Sequence, residues 1–112
     1  MARLIVNALS EDTVAAPGNR LRNYIVVSVT DNAGKPVAGL GSANFKVDPV
    51  IVGPGGSLVN ITGVTAGRLP GTYIVFVVPI AAQTWKSGVY IFAVSVTSGI
   101  NNGQNLCSVM MD

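Results

Sequence analysis

Apolar residues along this chain recur at every second position in short runs, and each run ends in a turn signal. A two-residue period places alternate side chains on opposite faces of an extended strand. Leu21 to Thr30 shows it most clearly, with Ile25, Val27 and Val29 on one face. The same pattern predicts strands at Arg3–Leu9, Ala43–Val52, Ser57–Val64, Thr72–Val78, Val89–Thr97 and Gln104–Met111. Pro49 interrupts the third of these strands in chain order, and a residue without a backbone N–H belongs at an edge or a bulge. The turns fall at Ala16–Asn19, Asp31–Pro36, Gly53–Gly56, Leu69–Gly71, Lys86–Gly88 and Gly99–Gly103, where Gly, Asn, Asp and Pro supply the special backbone angles. No segment has apolar residues at helical spacing over a helix-forming length. Seven short strands with no helical crossovers predict an all-β sandwich of antiparallel strands, built as one domain over residues 1–112.

Two strands open with one phrase, Gly71-Thr72-Tyr73-Ile74 and Gly88-Val89-Tyr90-Ile91. Each tyrosine is expected to bury its ring while its hydroxyl reaches backbone at an end of the sandwich, as in a tyrosine corner. Val27 through Leu40, with its Thr30-Asp31-Asn32-Ala33-Gly34-Lys35-Pro36 turn and the Phe45 that follows, resembles the second strand and loop of bacterial immunoglobulin-like domains. Such domains occur in invasin and intimin repeats, macroglobulin-like domains and transthyretin-like domains. Gly71 through Pro79 and Gly88 through Val96 are similar to the later strands of those domains and of filamin repeats. The resemblance spans about Leu21 to Thr97 and implies an immunoglobulin-like β-sandwich acting as a spacer, adhesion or protein-interaction module. It brings no shared catalytic residues.

A solvated sandwich alternates apolar and polar positions along each strand. Residues 72–78 do not: Tyr73, Val75 and Val77 form one face, and Ile74, Phe76 and Val78 form an equally apolar other face. Val89 and Ile91 do the same on the next strand, and Val26 on the second. An exposed apolar patch of this kind marks an interface. Ile74, Phe76, Val78, Val89 and Ile91 are therefore the expected interface residues. Trp85, the single tryptophan, is either an outlying anchor for the same partner or a cap on the core.

Composition sharpens this picture. Hydrophobic residues make up 49% of the chain and charged residues only 11%, where soluble domains carry roughly a quarter. With a mean hydropathy of +0.52, a chain of this length can bury enough apolar surface to fold. The shortage of charge points to a subunit whose surface is covered by a protein partner or by its own copies, such as part of a fibre, a particle coat or an injection apparatus. A carbohydrate-binding or adhesion module is the alternative. The net charge is +2 and the seven basic residues are scattered, which argues against nucleic acid.

The longest apolar run, Tyr73 to Ala82, contains Pro79 and is half the roughly twenty residues of a membrane span. The first residues do not read as a secretory signal. With neither signal visible, synthesis in the cytoplasm is the expectation, and the final compartment stays open, assembly and non-classical export included.

No catalytic constellation is visible. The chain has no histidine, the common general base and metal ligand. Glu11 and Asp12 are neighbours, which point to opposite sides of an extended segment. Gly53-Pro54-Gly55-Gly56 lacks the lysine and helix of a phosphate loop. A calcium site would need Asp31, Asn32, Asp48, Asp12 or Asp112 to converge. Asn60-Ile61-Thr62 fits an N-glycosylation acceptor. Cys107 lies in an alternating run and is expected as a small buried apolar residue. The reading is a non-enzyme without cofactor or metal.

Overall fold

The computed structural model describes residues 3–10, 21–51, 59–81, 83–85 and 88–111. The predicted turns at 16–19 and 53–56, the Glu11–Asp12 pair, Lys86, Ser87 and Asp112 lie outside them. The described residues form seven strands: β1 (Ile5–Ser10), β2 (Asn23–Thr30), β3 (Phe45–Ile51), β4 (Val59–Ala66), β5 (Thr72–Pro79), β6 (Gly88–Ser98) and β7 (Asn101–Met111). A 3-10 turn, Ser42–Asn44, precedes β3. The strands form two antiparallel sheets, ordered β1-β2-β5-β4 and β3-β6-β7. The arrangement is sandwich-like, and one core joins both sheets. Among the described residues, no helix is long and apolar enough to cross a membrane.

The period-two pattern explains the core. Ile25, Val27 and Val29 of β2 and Tyr73, Val75 and Val77 of β5 face Tyr90, Phe92, Val94 and Val96 of β6. Each is almost wholly buried, and each such side chain contributes about 1.5–3 kcal/mol relative to leaving it in water. Cys107 and Val109 of β7 and Phe45 and Val47 of β3 complete the layer. Asn23 is the one buried polar side chain among the described residues, and its Oδ1 accepts the Tyr24 N–H at 2.9 Å.

Pro49 has the setting its missing N–H demands. β3 is an edge strand, and its register against β6 shifts between Pro49 and Ile51. The β6–β7 hairpin is tighter than the pattern suggests. Ser98 pairs with Asn101, leaving only Gly99 and Ile100 in the turn. Gly99 sits at φ +63°, and a two-residue hairpin favours such an angle because it matches the strand twist. Strand pairing therefore absorbs Asn101, Asn102 and Gly103, which their turn-like chemistry alone would assign to a loop.

The start of the chain straddles both sheets. Arg3 bridges Asn102 in parallel, and the Leu4 N–H donates to the Asn102 carbonyl at 2.8 Å. From Ile5 onward the chain pairs with β2 instead. Gly103 permits this crossing, since a Cβ there would run into the Leu4 carbonyl. The Asn105 side-chain amide adds a bond to the Val6 carbonyl at 2.7 Å.

Aromatic residues close both ends of the core. Tyr73 packs on Phe45 with centroids 5.3 Å apart. Its hydroxyl donates to the Val37 carbonyl at 2.5 Å and accepts the Leu40 N–H at 3.3 Å. The loop after β2 is thus tied to the start of β5. Trp85 closes the other end. It meets Tyr90 edge-on at 5.4 Å and donates from Nε1 to the Leu21 carbonyl at 2.8 Å.

Candidate interaction surface

The outward positions of the four-stranded sheet line up in rows across the strands. Leu9 of β1 pairs with Val26 of β2, Val26 with Ile74 of β5, and Ile74 with Thr65 of β4. The next row runs from Tyr24 through Phe76 to Gly63. Leu9 is 69% exposed and Val26 38%, while Ile74, Phe76 and Val78 are half-buried. Phe76 is screened by its neighbours. Tyr24 meets it edge-on at 6.4 Å, and the Arg22 guanidinium lies 4.6 Å from its ring centre. Leu21, Arg22, Tyr24 and Phe76 line a groove of about 330 Å³. This stacking leaves the guanidinium edge able to donate to a carboxylate.

The three-stranded sheet has its own outer face. Asp48 pairs with Ala93 and Ala93 with Leu106, while Ile91 pairs with Ser108. Val89 is 39% exposed, Leu106 is 56% exposed and Ile91 is half-buried. Lys46 and Asp48 share this face as an exposed ion pair at 3.7 Å, a geometry that contributes little to stability.

The expected interface residues therefore divide. Ile74, Phe76 and Val78 lie on the outer face of one sheet, and Val89 and Ile91 on the outer face of the other, with the core between. They do not form one continuous surface, because β5 and β6 belong to different sheets. Trp85 is fully buried and serves as a core cap, so it is not an outlying anchor. Its indole N–H finds the backbone partner that a buried tryptophan requires. Leu9, Leu21, Tyr24 and Leu106 belong to the outer faces and escape the sequence pattern. Leu9 and Leu106 sit in strands whose two faces look alike, and Tyr24 joins the patch only through its pairing with Phe76.

Among the described residues, the remaining polar candidates do not gather into a site. The Asp31 carboxylate accepts the Ala33 and Lys35 N–H groups at 2.9 and 3.0 Å, which fixes its own turn. Asp48 lies on β3 beside Lys46. Among the described residues, no three His, Cys, Asp or Glu side chains gather as a metal site. Cys107 is buried, and that burial pushes its thiol up to about 11, so the reactive thiolate is scarce near neutral pH. Asn60 and Thr62 are exposed on β4, beside the bulge between Ile61 and Gly63.

No family model matches the chain, and neither a curated protein nor a solved structure is found to match it.

Proposed function

We propose that this chain is a non-catalytic immunoglobulin-like module that works by protein contact, either with its own copies or with a larger assembly. The strand order supports the immunoglobulin-like part of the reading. β1-β2-β5-β4 and β3-β6-β7 correspond to the A-B-E-D and C-F-G sheets of a constant-type domain. Tyr73 works as a tyrosine corner does, though it secures the loop after β2. The absence of histidine from the sequence and the buried state of Cys107 favour a non-catalytic role.

The observation that carries the functional reading is the outer face of the four-stranded sheet. Leu9, Val26, Ile74, Phe76 and Val78 lie across its strands, and Arg22 is the one charged side chain among its described strand-facing residues. Monomeric proteins seldom leave such a patch open to water. Aromatic residues beside an arginine are also the composition of interface hot spots.

Titration with a dye that fluoresces on apolar surface tests this. The dilute wild-type protein is expected to bind the dye, and Phe76→Arg to bind it several-fold less. A wild-type protein that binds none refutes the reading.

A further inference from the structure

We infer that Asn102 is a self-modification site: its side-chain amide is lost through attack by the Gly103 nitrogen, and the isoaspartate so formed releases the Arg3–Leu4 segment from β7 for good. The inference is independent of the interaction-module reading. A conflict sits where Leu4 crosses onto β7. The crossing needs a residue 103 without a Cβ, since one there would run into the Leu4 carbonyl. The residue before that glycine is an asparagine. A following residue with no side chain leaves its backbone nitrogen the least hindered approach to the asparagine amide carbon. Every other asparagine in the sequence precedes a residue that carries a Cβ. The fold thus requires the glycine that makes Asn102 the most reactive amide of the chain.

The step balances with water as the only other reactant. The Gly103 nitrogen bonds to the Asn102 Cγ, and its proton leaves with the side-chain nitrogen as ammonia. Water then opens the five-membered imide at one of its two carbonyls. Opening at the side-chain carbonyl gives aspartate, and opening at the main-chain carbonyl gives isoaspartate, in which the chain runs through the former side chain. Asn102 is exposed, and with Arg3, Thr97 and Gln104 it lines a polar groove of about 590 Å³, so water reaches the imide.

The fold restrains the reaction at the one peptide group that must rearrange. The carbonyl of that group, on Asn102, accepts the Leu4 N–H at 2.8 Å. Its N–H, on Gly103, points the opposite way, towards the paired Val96 of β6, because hydrogen-bonding groups alternate between the two sides of a strand. Cyclisation therefore waits for the Arg3–Leu4 segment to lift and for the hairpin end to fray. That opening is local, and local openings cost less than unfolding the whole core. Isoaspartate then adds a methylene to the main chain between Asn101 and Gly103. The pairing of residue 102 with Arg3 on one side and Thr97 on the other cannot re-form.

Holding the wild-type protein at mildly alkaline pH tests the inference, with isoaspartate measured by enzymatic methylation and located by peptide mass mapping. Isoaspartate is expected at Asn102 ahead of every other asparagine. Its rate in the folded protein is expected to lie about tenfold or more below that of the urea-unfolded chain, and to rise in urea well below the unfolding midpoint, with a slope much shallower than that of global unfolding. Leu4→Pro, which deletes the N–H donated to Asn102, is expected to react several-fold faster than the wild type while folded. The urea series needs only the wild type, so it decides the matter if that variant does not fold. The isoaspartate form, separated by its added negative charge, is expected to exchange its Leu4 amide quickly while the amides of β2 and β5 stay protected.

Four results overturn the inference: isoaspartate absent from Asn102 or faster at another asparagine, a folded rate equal to the unfolded one or following the urea slope of global unfolding, a folded Leu4→Pro that reacts no faster than the wild type, or an isoaspartate form whose Leu4 amide is as protected as before.

Discussion

Replacing Tyr73 by Phe isolates a single hydroxyl. The ring, buried against Phe45, is kept, so the packing of the core is unchanged. What is lost is the bond to the Val37 carbonyl at 2.5 Å and the weaker one from the Leu40 N–H at 3.3 Å. Each neutral hydrogen bond contributes about 0.5–1.5 kcal/mol net, and a partner left unsatisfied in a partly buried place adds to the loss. The expected destabilisation is about 1–2 kcal/mol, because the loop lies near water and recovers part of the cost. For a domain of about 100 residues this lowers the melting temperature by roughly 5–10 °C. Urea unfolding followed by Trp85 fluorescence measures it, with the reporter at the far end of the core and untouched by the change. The slope with denaturant should stay constant while the midpoint falls. Amide exchange at Leu40 should quicken as well. A change within about 0.3 kcal/mol, inside the usual spread for neutral surface substitutions, would refute the claim that this hydroxyl anchors the loop.

Two further outcomes follow from the packing. Gly103→Ala should destabilise by about 1–3 kcal/mol, the usual cost of forcing extra volume into a tight contact, and should expose the Leu4 amide to exchange, since the added Cβ meets the Leu4 carbonyl. Unchanged exchange at Leu4 would contradict the crossing of the chain start onto β7. Stability should fall as pH rises from about 8.5, where the thiol of the unfolded chain releases its proton, towards the value of about 11 held by the folded Cys107. In that window the unfolded state binds fewer protons, so unfolding is favoured by rising pH, by roughly 3 kcal/mol in all. Cys107→Ala should show a shallower decline over the same range in paired urea titrations, and identical slopes would refute the assignment.

The strand pattern was legible because each inner face is written in β-branched and aromatic residues at period two. Ile25, Val27 and Val29, and Tyr73, Val75 and Val77, point inward as their spacing requires. Local pattern is silent on pairing. β5 sits between β2 and β4 while β6 sits between β3 and β7, so Phe76 and Ile91 look alike in sequence and lie on opposite sides of the molecule. Trp85 was ambiguous for a related reason. Its partners are Tyr90 and the Leu21 carbonyl, 64 positions away, and no local feature separates a buried indole from an exposed one. Arg22 reads as a solvated strand entry, and only the pairing of Tyr24 with Phe76 brings its guanidinium over a ring.

The measurement that bears most directly on the account is the binding of an apolar-surface dye by the dilute wild-type protein beside Phe76→Arg. Contact through the outer face of the four-stranded sheet predicts clear binding by the wild type, where Leu9 and Val26 are exposed beside Phe76, and several-fold less by the variant. A wild type that binds no dye would contradict it.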